Sequence, residues 1–235
     1  MSRKVGEAVA YFDAVLFDVD GTLIHSSPGI LSTMEYTFAQ MGITLPESEL
    51  KKFLGPPLRV TFGKYCQTEE RIEQAVDTYR SRYAVDGQYQ CRLFPGVEEM
   101  LRTLKAQGVI LCTATSKPVK VVEPMLERLG IAPLFTMIGG ASMDASLDTK
   151  TAVVNHVLHQ PFLAGKRVLM AGDRKDDVKG GRDCGLTTAA VLYGYGSREE
   201  LELAAPSVLL EDCSALTNFI LEGPAGLAKQ EVVYE

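Results

Sequence analysis

The chain has no apolar run long enough to cross a bilayer. Its opening residues, Met1 to Ala10, carry Arg3, Lys4 and Glu7 where a secretory leader would be continuously apolar. An excess of positive charge is also missing. The 24 Lys and Arg stand against 30 Asp and Glu, a net charge of −6. That argues against a nucleic-acid polymer as partner, though a local cationic pocket stays possible. Cysteines are few and unpaired in pattern: Cys66, Cys91, Cys112, Cys184 and Cys213 are odd in number, with no C-x-x-C spacing. Cys112 and Cys184 are expected as core thiols, and a reduced, cytoplasmic location is expected with them. Histidine is scarce. His156 and His159 are spaced suggestively, but no cysteine joins them, so zinc is not expected. His25 is expected to be structural. Internal repeats and low-complexity segments are absent. What remains is a chain long enough for one large domain or two small ones, as a monomer or homodimer, with no membrane partner.

What is present begins with an apolar run, Ala14 to Phe17, read as a buried strand. The pattern then turns helical. Ser26 or Ser27 caps a helix that has Pro28 in its first turn, an apolar stripe at Ile30, Met34, Phe38 and Met41, and Gly42 at its end. A short helix runs from Pro46 to Phe53, another from Leu58 to Cys66, and a longer one from Thr68 to about Val85, with Ile72, Val76 and Tyr79 or Tyr83 inward. Gly55-Pro56-Pro57 is a stiff connection, since each proline fixes its own backbone and restricts its predecessor. After residue 92 strands and helices alternate. Strands are expected at Val109–Ala114, Phe135–Ile138, Arg167–Ala171 and Thr188–Leu192, with helices from Pro95 to Gln107, Pro118 to Leu129, Lys150 to His159 and Asp176 to Cys184. Asp148 or Thr149 caps the third of these helices. Apolar strands between helices of this size predict an α/β fold with a parallel sheet covered on both faces. The expected division is a discontinuous core, 1–25 with 93–222, an inserted α-helical unit at 26–92, and a polar tail at 223–235.

The stretch Val15-Leu16-Phe17-Asp18-Val19-Asp20-Gly21-Thr22-Leu23 organises the rest. Residues two apart on an extended backbone share a face, so Asp18 and Asp20 point the same way if the strand continues that far. Two like charges held together call for a cation or a shared proton. In open parallel sheets ligands bind beyond the carboxyl ends of the strands. That rule gathers Asp18, Thr115 and Asp173 at one edge, each following an expected strand. The helical insertion leaves the chain at the same edge and is placed to cover it.

The string FDVDGTL resembles the first motif of the haloacid-dehalogenase-like superfamily of phosphohydrolases, and three further motifs follow in the family's order. Thr115-Ser116-Lys117 resembles the second. On its own it reads as a hydroxyl and free amides leading into a helix, a natural phosphate cradle. Thr115 is then the phosphate-contacting hydroxyl, with Ser116 beside it and Lys117 peripheral. The third is a lysine at a helix start, assigned to Lys150; Lys166 precedes a strand and belongs at the opposite edge. The fourth, Gly172-Asp173-Arg174-Lys175-Asp176-Asp177, resembles the family's G-D-x-x-x-D pattern. Asp177 lies one helical turn after Asp173 on the same face, while Asp176 faces water.

The resemblance implies a Rossmann-like core with a helical cap, and an Mg²⁺ site drawing on Asp18, the Asp20 backbone carbonyl, Asp173 and, in support, Asp177. A hard cation that keeps several waters suits such a set. It implies Asp18 as the nucleophile that forms an aspartyl-phosphate, Asp20 as general acid and base, and Lys150 as charge balance. Superfamily dehalogenases have no acid at the position of Asp20, which points to a phosphatase or phosphomutase. LGPPL and LFPGV are similar to phosphoglycolate-phosphatase-type sequences, and 5′-nucleotidases of the same cap type share GPPL. A small phosphorylated metabolite is the expected substrate; a non-catalytic phosphate-binding module is the contrasting possibility. Leu54 to Arg59 is expected to close over the leaving group. A carboxylate there would use Arg59 or Lys52, and a nucleoside would use Phe53, Phe62 or Tyr65.

Overall fold

The computed structural model describes residues 10–144 and 146–227. Its sheet strands are β1 (Ala14–Phe17), β4 (Ile110–Pro118), β5 (Met137–Ala141), β6 (Val168–Gly172), β7 (Thr187–Val191) and β8 (Val208–Leu210), in the spatial order β5-β4-β1-β6-β7-β8 with every pairing parallel. Two short strands, β2 (Ile24–His25) and β3 (Arg92–Leu93), pair antiparallel at the exit and return of the helical insertion. That insertion contains α1 (Ser27–Gln40), α2 (Glu47–Leu50), α3 (Leu58–Phe62) and α4 (Glu69–Val85). Around the sheet lie α5 (Val97–Ala106), α6 (Val119–Arg128), α7 (Lys150–Leu158), α8 (Lys175–Asp183), α9 (Arg198–Ala204), α10 (Cys213–Glu222) and α11 (Pro224–Leu227).

The central strand β1 shows why the sheet is covered on both sides. All four of its side chains are buried, and they alternate between two cores. Val15 and Phe17 join a large cluster with Leu101, Leu104 and Ile220; Ala14 and Leu16 join a second with Val153, Val157 and Met170. This is the expected result for a strand whose residues are apolar at every position. Asp18 continues the parity of Ala14 and Leu16, so it leaves the strand on the side that carries α7. The chain winds outward from β1 to β4 and β5, then returns to β6 beside β1. The ligand-binding crevice of such a sheet lies where the winding reverses, here around the ends of β1 and β6.

Several expectations change in detail. β1 ends at Phe17, so the two acids do not share a strand face. The Val19 carbonyl accepts from the amides of Leu23 and Ile24, each at 2.9 Å, and Gly21 donates to the Ile24 carbonyl. This closes a tight turn with Gly21 at φ +93° and leaves Asp18 and Asp20 paired with different lysines. β4 runs on to Pro118, with an irregular register between Thr115 and Pro118. The expected helix over Leu58–Cys66 stops at Phe62. Ser26 holds the cap position of α1 but makes no side-chain cap bond. Cys112 is buried and Cys184 half-buried, and both thiols are free. In the expected tail, residues 224–227 form α11, and 228–235 lie outside the described residues, as do residues 1–9. No helix among the described residues is long and apolar enough to cross a membrane.

Candidate active site

Asp18 and Asp173 follow adjacent strands whose register pairs Phe17 with Ala171. Asp177 sits in the first turn of α8 and turns back toward them; its Oδ2 accepts from the Arg174 amide at 2.9 Å. The three carboxylates are buried, and one oxygen of each lies within 4.8 Å of the others. Lys150, the first residue of α7, reaches in from the Asp18 side. Its Nζ donates to Asp18 Oδ1 at 2.7 Å and the Ala114 carbonyl at 2.9 Å, and lies 2.8 Å from Asp177 Oδ1. Thr149 caps the helix that carries it by accepting from Ala152.

Charge at this cluster is unbalanced. Three carboxylates surround one ammonium. Burial, and then the neighbouring Asp177 and Asp20, push the Asp18 carboxyl up to about 6 although Lys150 pulls the other way. Burial together with Asp177 and Asp18 holds Asp173 well above the usual carboxylate range, despite bonds from the Tyr195 amide and the Thr22 hydroxyl. For Lys150, burial works against the charge, but Asp177 and Asp18 together outweigh it and keep the ammonium above its ordinary value. An all-oxygen set with about two surplus negative charges fits a hard divalent cation. The close packing of the site agrees: a Cβ on Gly21 would lie 2.2 Å from Asp173 Oδ2.

The carboxylate of Asp20 lies outside this cluster. Its Oδ1 accepts from the Ser26 hydroxyl, and Lys117 Nζ sits 3.0 Å from Oδ1 and 2.9 Å from Oδ2. Lys117 also donates to the Tyr83 hydroxyl of α4 at 2.8 Å and lies over that ring at 4.6 Å. The expectation that Lys117 is peripheral is therefore corrected: because β4 continues past Thr115, the side chain is carried inward. Burial opposes its charge, but Asp20, then Tyr83 and Tyr79, hold it above the ordinary lysine range. Thr115 is buried at the end of β4, and its Oγ1 accepts from the Lys117 amide at 3.2 Å. Ser116, half-buried, is the next residue of the same strand. The stretch expected to lead into a helix is the end of β4, where the register skips Ser116 and Lys117, and α6 begins only after Pro118.

The insertion residues expected to choose the leaving group are engaged elsewhere. Arg59 makes two hydrogen bonds to Glu73, at 2.6 and 2.7 Å. Lys52 is exposed and pairs with Glu49. Phe53 and Phe62 are buried, and with Tyr65 they pack around Phe38 at centroid distances of 5.4, 5.4 and 5.2 Å. These aromatics form a core of the insertion and no open slot. His25 stacks on Phe94 and its Nδ1 meets Ser27 Oγ at 3.1 Å. Asp176 is exposed, as expected.

Three residues that touch this site escaped the sequence reading. The Tyr195 amide donates to Asp173 Oδ2 at 2.7 Å, and the Thr22 hydroxyl donates to Asp173 Oδ1 at 2.9 Å. Arg174 is held by Glu200 and donates to the Leu54 carbonyl in the stiff loop. Thr22 lies inside the first motif and Arg174 inside the fourth. Tyr195 follows β7 at the same sheet edge, so the strand-end rule applied one strand further would have reached it.

Four acids and two lysines gathered at the carboxyl ends of a parallel sheet suit an α/β enzyme that handles phosphate. The chain belongs to the haloacid dehalogenase-like hydrolase family, whose profile matches residues 15–191. It is a phosphatase of that family. It is 34% identical over 212 residues to a 5′-nucleotidase of Pseudomonas aeruginosa, covering 89% of this chain and 96% of the relative. A tyrosine-protein kinase of Mycobacterium tuberculosis is 35% identical over 196 residues, with 83% and 67% covered. A phosphoglycolate phosphatase of Pectobacterium atrosepticum is 29% identical over 202 residues, with 83% and 86% covered. Among solved structures, a predicted phosphatase from Clostridium acetobutylicum superposes with a TM-score of 0.83 at 35% identity, covering 88% of this chain and 96% of that one.

Proposed function

We propose that the protein is an Mg²⁺-dependent phosphomonoester hydrolase that acts on a small phosphorylated metabolite through an aspartyl-phosphate on Asp18. One observation carries this reading: Asp18 lies at the sheet edge, bonded by Lys150 at 2.7 Å within the cluster of buried acids, with Asp20 two residues on. A carboxylate oxygen of Asp18 attacks phosphorus and the ester P–O bond breaks. The departing alkoxide takes its proton from Asp20. Water then attacks the acyl phosphate, gives its proton to Asp20, and phosphate leaves. Lys150 offsets repulsion between the nucleophile and the dianionic phosphate. Thr115 and Ser116 are assigned to the phosphate oxygens. Asp18, Asp173, the Asp20 carbonyl and, in support, Asp177 would hold Mg²⁺, which supplies charge neutralisation at the phosphate when bound. Residues 26–92 act as a cap over this edge, and the location is cytoplasmic.

Within this class we assign a phosphoglycolate-like substrate, a small phosphorylated acid. Support comes from the insertion: Phe53, Phe62 and Tyr65 are taken up in packing around Phe38, whereas Lys117 is a buried cation beside Asp20, the group assigned to the leaving alcohol. With Arg59 held by Glu73, Lys117 is the better anchor for a carboxylate. The second reading, a 5′-nucleotidase, is favoured by the greater identity to the Pseudomonas relative. The test is hydrolysis of a panel of phosphorylated metabolites and a generic aryl phosphate with Mg²⁺. Turnover led by phosphorylated acids supports the assignment, turnover led by nucleoside monophosphates replaces it, and no turnover of any ester rejects it.

A further inference from the structure

The first amides of a helix have no partner inside it, and a serine at the cap position normally supplies one. In α1 it does not. The Ser26 hydroxyl is turned onto Asp20 Oδ1. The amides of Ser26 and Ser27 donate instead to the phenol oxygen of Tyr195, at 2.8 and 2.9 Å, across 169 and 168 residues of chain. The same hydroxyl is 3.5 Å from the Ile24 carbonyl, which can take its proton. At its other end Tyr195 touches the acidic cluster, since its own amide donates to Asp173 Oδ2 at 2.7 Å.

The loop that presents Tyr195 is moulded onto Asp173. A Cβ on Gly194 would lie 2.2 Å from Asp173 Cβ, and one on Gly196 would lie 2.1 Å from the Asp173 carbonyl oxygen. Tyr193 closes the other side by donating to the Thr22 carbonyl at 3.0 Å, and Thr22 donates to Asp173 Oδ1. Residues 193–196, Asp173 and the turn after β1 are therefore packed and bonded to one another. The phenol is the point where this packed group grips the start of the helical insertion.

We infer that Tyr195 is a positioning residue that couples the entry of the helical insertion to the Asp173 carboxylate, so that metal binding and order at Ser26 and Ser27 are linked. This rests on reading Asp173 as a metal ligand. Linkage is reciprocal: a cation that fixes Asp173 fixes the phenol and hence the two amides. The phenol oxygen is the only group of Tyr195 in this path that Tyr195→Phe removes. The ring and the amide bonded to Asp173 remain.

The test is amide hydrogen exchange at Ser26 and Ser27 with and without saturating Mg²⁺, with Mg²⁺ affinity measured separately by calorimetry. In the wild-type chain Mg²⁺ is expected to slow exchange at both amides by about tenfold or more, a linkage of ordinary size. In Tyr195→Phe that response is lost, and Mg²⁺ affinity falls by no more than about the same tenfold, because linkage is reciprocal and the carboxylates are untouched. An equal response in the variant overturns the inference, because the link then runs by another route. A wild-type chain that binds Mg²⁺ with no change at either amide also overturns it, whatever the variant does. If calorimetry detects no Mg²⁺ binding, the reading of Asp173 fails first and the coupling falls with it.

Discussion

Lys117 Nζ lies 2.9 Å from one carboxylate oxygen of Asp20 and 3.0 Å from the other, so a single buried ammonium spans both. Lys117 comes from the end of β4, and its next partner, Tyr83, belongs to the helical insertion. The group proposed as general acid therefore meets the insertion twice, through this lysine and through the Ser26 hydroxyl. A leaving group with its own anion can compete with Asp20 for that lysine. Lys117→Met should lower kcat/KM for phosphorylated acids about tenfold more than for a neutral aryl phosphate, the cost of losing one charged contact. Equal losses on both substrates would mean that Lys117 serves Asp20 alone.

Asp18→Asn keeps the shape of the site and removes the nucleophile. Turnover should fall by about 10³-fold or more, as expected when a covalent catalyst is deleted. Asp20→Asn should behave differently: with a good leaving group the adduct forms and then hydrolyses slowly. Intact-mass measurement followed by peptide mapping should find phosphate on Asp18. An adduct on any other residue would reject these roles.

Chelation should abolish activity, and Mg²⁺ should restore it. Ca²⁺ should bind and support little turnover, because its larger, looser coordination misplaces the attacking oxygen. Full activity in excess chelator would show that the acidic cluster works without a cation.

The metal-free protein should lose stability as pH rises through the mildly acidic range. Burial and neighbouring acids raise the folded Asp18 pKa to about 6, from an ordinary value of 3.8. A carboxyl raised on folding leaves stability intact below its unfolded pKa, and that contribution is lost as pH climbs through the folded one. The melting temperature in chelator should fall between about pH 4 and about pH 7, and the fall should be smaller in Asp18→Asn. Added Mg²⁺ should reverse the trend. An identical pH profile for the variant would remove Asp18 as its source.

Phe62→Ala should act on stability before it acts on substrate choice. The ring is wholly buried and meets Phe38 edge-on at 5.4 Å. Truncating a core aromatic costs about 3–5 kcal/mol. Denaturant unfolding should show that loss, while the ranking of substrates by kcat/KM stays as in the wild type. A variant of normal stability with a selective defect on nucleotides would restore the aromatic-slot reading. Arg59→Ala breaks an ion pair of which both members are more than one-third exposed, so the same unfolding measurement should show little or no loss of stability.

The α/β class, the helical insertion and the edge that carries Asp18, Thr115 and Asp173 were legible in the chain itself. They follow from local information: apolar runs of strand length, caps such as Thr68 and Thr149, and the rule that parallel strands present ligands at their carboxyl ends. Lys150 could be chosen over Lys166 on the same ground, and the structure brings it to Asp18. The partners of each acid were decided by tertiary structure alone. Asp18 and Asp20 sit two residues apart, yet the turn at Gly21 sends one to Lys150 and the other to Lys117. Strand parity could not foresee that split, because β1 ends one residue before Asp18. Tyr195 meets Ser26 across 169 residues, a contact with no trace in local pattern, since it depends on where two loops of one sheet edge come to rest. The aromatics of the insertion show the same limit from the other side. Composition offered Phe53, Phe62 and Tyr65 as a slot, and packing gathered them around Phe38, because burying large rings against one another is what holds so small a helical unit together.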